Sequence, residues 1–428
     1  MSEQTGSDRV FLFLQGPSSI LFSRIGDQLA AAGAKVLRIN LNAGDQVFWR
    51  RPGAIAYRGT SSAWPDFVMR LMRDEGVTDL VLLGEERPYH KAAVNAARGL
   101  GIGVYVIEMG HLRPDWITVE RDGLSSNSRF PDDPGAILSA AANLPEPDFT
   151  RHFSHSFFQE AKADLLYYLP TVFLSFLYPH YRVHGLYNPL REYAGWIPQL
   201  VFAGRRRQRA EAIAASILSA QSPFFLYPLQ LQTDFQLRAH SPFHCQEDAI
   251  RFVLASFSRY AAREARLVIK LHPLDAGIVD WRAYISGLAS GNNLAGRVDV
   301  LDGGDLNALV ARSQGMVTVN STAALNALQA GKPVKVLGES IYRIKGLTDE
   351  KSLDEFWSNP ANPSMELLSA FIRLIAAAVQ VRGDFYARDG AEAAATAISA
   401  RLLARNVNQP GAYVTPPPRR HPDKIVVP

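Results

Sequence analysis

Three short segments combine residue types suited to holding a phosphate and reacting beside it. Lys270-Leu271-His272-Pro273 closes an apolar run. Its proline fixes φ and drives His272 toward an extended backbone, which sets a cation and an imidazole at the carboxyl end of a strand. Asn320-Ser321-Thr322 follows a second apolar run and opens a helix-favouring stretch from Ala323. Hydroxyls and free backbone N–H groups there suit an anion such as a nucleotide phosphate. Gln230-Leu231-Gln232-Thr233-Asp234 follows a third run and offers a carboxylate as nucleophile or general base. Each segment taken alone also has a plainer reading: a rigid turn, an ordinary N-cap, and a loop aspartate capping the next turn.

The N-terminal half repeats the arrangement with different chemistry. Gln15-Gly16-Pro17-Ser18, Asn42-Ala43-Gly44-Asp45, Gly84-Glu85-Glu86-Arg87-Pro88-Tyr89-His90 and Glu108-Met109-Gly110-His111 each follow an apolar run. Four polar, glycine-bearing strand ends predict a second binding surface. Single members such as His90 or His111 also fit structural roles.

Strands are predicted at Val10–Leu14, Lys35–Asn40, Asp79–Leu83 and Val104–Glu108, with amphipathic stretches between them, and a second series at Phe224–Tyr227, Leu267–Leu271, Val298–Leu301, Met316–Val319 and Val334–Leu337. This α/β rhythm predicts two open parallel-sheet domains, with ligands at the carboxyl edges of the strands. The expected division is an N-terminal acceptor domain 1–149, an aromatic helical connector 150–212, a donor domain 213–383, a C-terminal helix 384–408 and a disordered Pro/basic tail 409–428.

Composition narrows the function classes. The chain has 428 residues, 47% of them hydrophobic and 20% charged, and a formal charge of +4 from 45 Lys and Arg against 41 Asp and Glu. That balance gives no electrostatic case for nucleic-acid binding. The single cysteine, Cys245, excludes a disulfide scaffold and suits a reducing cytoplasm. No cysteine cluster, Walker loop or Gly-x-Gly-x-x-Gly is present, and neither metal nor dinucleotide cofactor is expected. The opening Met1-Ser2-Glu3-Gln4 lacks the basic start of a secretion signal, and Pro170 and Pro179 interrupt the charge-free run Leu165–Tyr181, which argues against a membrane span.

Phe13-Leu14-Gln15-Gly16-Pro17, Asn40-Leu41-Asn42-Ala43-Gly44-Asp45, Tyr57-Arg58-Gly59, Arg87-Pro88-Tyr89-His90 and Glu108-Met109-Gly110-His111-Leu112-Arg113-Pro114-Asp115-Trp116-Ile117-Thr118, continued through Gln230–Asp234, Lys270–Pro273 and Asn320–Thr322, resemble the capsule polysaccharide biosynthesis/export proteins of the KpsS and KpsC type. The resemblance implies a GT-B-like fold, two Rossmann-like domains facing a central cleft. It also implies a retaining β-Kdo glycosyltransferase that takes 3-deoxy-D-manno-oct-2-ulosonic acid (Kdo) from CMP-Kdo. The acceptor would be a phosphatidylglycerol-type lipid or Kdo-lipid at the inner face of the bacterial inner membrane, and the product the linker for capsule assembly and export proteins. No metal is expected.

Carried over by this resemblance, Asp234 is the catalytic carboxylate and Glu108 its partner. Gln230, Lys270, His272, Pro273, Asn320, Ser321 and Thr322 hold the CMP donor. Gln15, Gly16, Asn42, Asp45, Arg87, His90, His111 and Arg113 line the acceptor side. Two positions depart from the family pattern: Glu85 stands where an Asp is usual, and His111 where a Tyr is usual. The aromatic stretch Phe157–Tyr181 and the basic run Arg205–Arg209 suit contact with an anionic leaflet. Alternatives are a GT-B enzyme using another sugar nucleotide, sialyltransferase-like or epimerase, and a non-catalytic export adaptor.

Overall fold

The computed structural model describes residues 8–183 and 185–427. The opening residues behind the secretion reading lie outside this range. The chain begins β1 (Val10–Phe13), α1 (Leu21–Ala31), β2 (Lys35–Asn40), α2 (Ala43–Phe48), β3 (Ile55–Ala56), α3 (Trp64–Asp74), β4 (Asp79–Leu83), α4 (Pro88–Gly99), β5 (Gly103–Met109) and β6 (Trp116–Arg121). Helices α5 (Pro134–Ala141), α6 (Phe157–Phe173), α7 (Pro189–Val201) and α8 (Ala203–Ser219) follow. The second α/β series is β7 (Phe224–Pro228), α9 (Phe235–Ala239), α10 (Gln246–Tyr260), β8 (Arg266–Lys270), α11 (Trp281–Gly291), β9 (Val298–Leu301), α12 (Leu306–Arg312), β10 (Gly315–Thr318), α13 (Ala323–Gln329) and β11 (Val334–Val336). The chain closes with α14 (Leu353–Phe356), α15 (Met365–Ala378), β12 (Gln380–Arg382) and α16 (Arg388–Leu403).

Two compact units result, the first comprising residues 8–131, 139–183 and 372–418, the second 132–138, 185–371 and 419–427. The first carries a seven-stranded sheet ordered β12-β6-β5-β4-β1-β2-β3, parallel from β3 to β5. The inner strands β1, β4 and β5 are mainly apolar because both faces of the sheet are buried there. Phe11, Phe13, Val81 and Ile107 enter one core, while Leu12, Leu80, Leu82 and Val106 enter the other. The second unit carries five parallel strands ordered β11-β10-β7-β8-β9. In each sheet the first strand of the series sits centrally, so strand order reverses beside it, between β1 and β4 and between β7 and β10. In open α/β sheets ligands bind at that reversal.

Several expectations change. Strands β6 and β12 run antiparallel to their neighbours and extend the first sheet beyond its parallel part. Both escape a search for apolar runs: β6 places Thr118 and Glu120 in full burial, and β12 has three residues. The stretch 372–383, expected in the donor domain, returns to the first unit, and the connector 150–212 is helical but divides between the units. The tail, expected to be disordered, is anchored among its described residues. Arg419 is buried and donates to the Ile341 carbonyl, while Lys424 Nζ donates to the carbonyls of Arg238, Ser241 and Phe243. Its few apolar residues conceal an anchorage made through charged side chains and backbone oxygens.

Helix α6 lies on α2, and the close approach needs a glycine. A Cβ on Gly44 would stand 2.3 Å from the Tyr167 carbonyl oxygen and 2.6 Å from Thr171 Oγ1. Gly44→Ala must therefore force α6 away, at a cost of about 1–3 kcal/mol. A lowered urea midpoint at unchanged m-value is the expected result, and an unmoved midpoint would contradict the contact.

Candidate active site

In the second unit the reversal between β7 and β10 gathers the sequence-predicted donor residues. Gln230, just beyond β7, reaches across to Asn320, just beyond β10: its Nε2 donates to Asn320 Oδ1 at 2.8 Å, and the Asn320 backbone N–H donates to Gln230 Oε1 at 3.1 Å. The Asn320 amide also donates to the Gln236 carbonyl at 2.8 Å. These bonds clamp the two loops in one register.

Asp234 sits on this clamp as the N-cap of α9, its Oδ1 accepting from the Gln236 N–H at 2.8 Å and its Oδ2 from Gln230 Nε2 at 3.2 Å. Desolvation raises its pKa; the Gln236 N–H, the Gln230 amide and Arg238 oppose the rise. The two donors hold the carboxylate in one pose. The plainer capping reading is also true of Asp234, and the cap is what orients it.

The other residues expected to hold a donor stand at the same sheet edge. Lys270 ends β8 in a largely buried position, where desolvation lowers its pKa and Asp302 and Asp305 hold it up. His272 Nδ1 accepts from the Leu274 N–H at 3.1 Å, which places the ring proton on Nε2 as a donor. Pro273 is exposed beside it. Ser321 Oγ accepts from the Ala323 N–H, and Tyr342 holds the Ser321 carbonyl at 2.5 Å. Thr322 caps α13 without a side-chain bond, so its hydroxyl is spared for other partners.

In the first unit the polar strand ends divide into two groups. Gln15, Asn42 and Asp45 are buried under α6, contrary to their expected place on an open edge. Gln15 Nε2 donates to Tyr167 Oη at 2.9 Å and to both Asp45 oxygens at 3.2 and 3.3 Å, and Asn42 donates to Tyr167 Oη at 3.0 Å. Arg38, stripped of water and lowered in pKa by burial, pairs with Asp45 at 3.4 Å. Tyr167 stays protonated because burial and Asp45 both raise its pKa. Gly16 lines a neighbouring cavity of about 10 Å³, room for a single water. His90 is internal as well. Its Nδ1 lies 3.0 and 2.8 Å from the carbonyl oxygens of Leu83 and Gly84 and so donates to them, while burial and then Arg87 push its pKa down to about 3. A neutral His90 fixes the loop after β4.

The second group stays at the edge. Glu108, half-buried, accepts from the Met109 N–H at 3.0 Å, and Arg113 lies in the field of Glu108 and Glu160, with partial desolvation lowering its pKa and the two carboxylates raising it. Arg87 precedes α4 half-buried. His111 is held by strands the sequence did not reveal: its N–H donates to Gln380 of β12 at 3.1 Å, and its Nε2 lies 3.9 Å from Glu120 of β6. Gly110 permits that turn, since a Cβ there would meet the Trp116 carbonyl oxygen at 2.2 Å.

Residues 78–386 match the family of the "Capsule polysaccharide biosynthesis protein". The chain is 31% identical over 385 residues to the capsule polysaccharide export protein KpsS of Escherichia coli, covering 89% of this chain and 97% of that protein. The chain belongs to the capsule polysaccharide biosynthesis family. The capsule polysaccharide modification protein LipB of Neisseria meningitidis serogroup B is likewise 31% identical over 386 residues, covering 88% of this chain and 91% of LipB. Among solved structures, the KpsC β-Kdo 2,7-transferase of Thermosulfurimonas dismutans is similar over 93% of this chain and 99% of its own, at 15% identity and a TM-score of 0.43.

This capsule biosynthesis protein also buries a carboxylate, Glu85, in the loop after β4, beside the β1/β4 reversal. Glu85 is 3% exposed, and its Oε1 accepts from the Leu124 N–H at 2.6 Å and from Asn127 at 3.0 Å. Desolvation raises its pKa to about 7 against those two donors. Its position directly after β4 was the available signal. Because the folded protein keeps the Glu85 proton that the unfolded chain gives up near pH 4.5, this group lowers stability as pH rises from about 4.5 to 7. The loss totals about 3 kcal/mol. Glu85→Gln should flatten that part of the pH–stability curve, measured by urea unfolding from pH 5 to 8; an unchanged slope would contradict the burial of the charge.

Proposed function

We propose that this capsule biosynthesis protein is a retaining β-Kdo glycosyltransferase. It transfers Kdo from CMP-Kdo to a phosphatidylglycerol-type lipid or a Kdo-lipid, building the linker on which capsular polysaccharide is assembled and exported. The observation that most supports this reading is Asp234, a carboxylate held by two donors at the strand reversal of a unit whose neighbouring strand ends supply Lys270, His272 and Thr322.

In this mechanism an Asp234 oxygen attacks the anomeric carbon, the bond from that carbon to the phosphate oxygen breaks, and CMP leaves with the electron pair. Lys270 and the His272 Nε2–H offset the charge on the departing phosphate. Glu108 then takes the proton of the acceptor hydroxyl, whose oxygen attacks the same carbon and displaces Asp234. Two inversions give net retention. No metal enters, so turnover should survive a chelator such as EDTA.

Membrane approach is part of the reading. Among the described residues no helix is long and apolar enough to cross a membrane. The first unit nevertheless exposes Phe158, Phe173 and Phe176 on and beside α6, at 81%, 67% and 70%. The basic run contributes less than its charge suggests, because Arg206 donates to Asp302 at 2.6 Å and Arg207 to Glu211 at 2.7 Å. Arg205 and Arg209 remain exposed for an anionic headgroup.

Nucleotide selectivity tests the donor assignment. CMP should raise the melting temperature of the wild type more than UMP or UDP does, and His272→Ala and Thr322→Ala should shrink the CMP shift. An equal response to uridine nucleotides would overturn the CMP-sugar assignment.

A further inference from the structure

A cavity of about 550 Å³ opens in the first unit beside the loop that follows β1. Ile20, Phe48 and Phe385 supply apolar wall, and Arg24, Arg50, Lys162 and Arg388 supply four cations from four separate stretches of chain. Arg24 is committed to Glu392 at 3.4 Å and Asp27 at 3.7 Å. Arg50, Lys162 and Arg388 have no ion-pair partner among the described residues. Three uncompensated cations around one concave, partly apolar wall repel one another unless an anion joins them.

The wall also limits which anion fits. The first turn of α16 lies in it and adds the positive end of a helix dipole. The Ser18 hydroxyl, also on the wall, lies 3.2 Å from Asp164, whose pKa is raised to about 6 by desolvation. Two guanidinium forks and an ammonium on different sides of a hollow match an anion offering several oxygens in different directions, as phosphate does, better than a planar carboxylate served by one fork. The aromatic and aliphatic wall beside the cations suits an organic stem attached to that group.

We propose that this cavity binds a phosphate group, monoester or diester, whose organic stem lies along Phe48 and Phe385. The site is made from residues of the first unit alone and does not depend on the transferase reading. If that reading holds, the phosphate belongs to the acceptor.

The test is calorimetric titration of the full chain with inorganic phosphate, sn-glycerol 3-phosphate and monomeric lysophosphatidylglycerol. It compares the wild type with Arg50→Ala/Arg388→Ala and, separately, Lys162→Ala, with melting followed by circular dichroism. These side chains are exposed at the rim, so the variants should melt with the wild type. The expected result is at least tenfold weaker binding of the organic phosphates in the double variant, a smaller loss in Lys162→Ala, and tighter wild-type binding of lysophosphatidylglycerol than of inorganic phosphate. Equal wild-type affinity for all three, lost together in the double variant, would support the phosphate site and assign it to free phosphate instead of a headgroup. Wild-type affinity in the double variant, or no binding of any of the three, would overturn the proposal. Melting with CMP in the same variants reports on the second unit, so failure here is distinguishable from failure of the donor assignment.

Discussion

Asp234→Asn should abolish Kdo transfer, lowering kcat at least about 10³-fold, while leaving fold and CMP binding in place. The substitution is nearly isosteric. An asparagine Oδ1 still accepts from the Gln236 N–H, so the cap on α9 survives and the stability change should stay within about 1 kcal/mol. What disappears is the oxygen nucleophile. The second oxygen becomes an amide facing the Gln230 Nε2 donor, and the neutral group can no longer form the glycosyl–enzyme bond. Burst and steady-state release of CMP from CMP-Kdo would measure this directly. An Asp234→Asn variant retaining a tenth or more of wild-type turnover would remove Asp234 from the chemistry.

The largest expected stability effect comes from the other end of the first sheet. Arg9 and Asp79 have side chains 2% and 3% exposed and are joined by two bonds, Nε to Oδ2 at 3.0 Å and Nη2 to Oδ1 at 2.5 Å. Arg9 Nη1 also donates to the Leu402 carbonyl at 2.5 Å, so one guanidinium ties the entry of β1 to β4 and to the end of α16. Asp79→Ala leaves that cation buried and uncompensated, which should cost about 3–5 kcal/mol. Replacing both residues with apolar ones of similar volume should recover most of the loss, because the pair's desolvation cost disappears with it. Urea unfolding of the single and double variants tests this. A loss under about 1 kcal/mol in Asp79→Ala would mean that water or rearrangement compensates Arg9.

The strands that build this sheet edge were legible because parallel strands buried on both faces are nearly continuous apolar runs, as Phe224–Tyr227, Leu267–Ile269 and Met316–Val317 are. Reversal of strand order then brings Gln230 and Asn320 together, a pairing across 90 residues that no local pattern contains. Burial by distant elements was the hidden quantity. Asn42 and Asp45 look like an open polar edge until Tyr167 and Thr171 of α6 close over them. His90 looks like a titratable ligand until its ring is found on two carbonyls. His111 depends on β6 and on three residues of β12, too short and too polar to announce a strand.

The central claim is transfer of Kdo with retention. Purified full chain incubated with CMP-Kdo and lysophosphatidylglycerol, with mass spectrometry and anomeric NMR of the lipid product, tests it in one experiment. The account predicts a lipid heavier by one or more octulosonate residues in β linkage, with CMP released in proportion. An α-linked product, or CMP-Kdo consumed with the sugar passing to water alone, would contradict it.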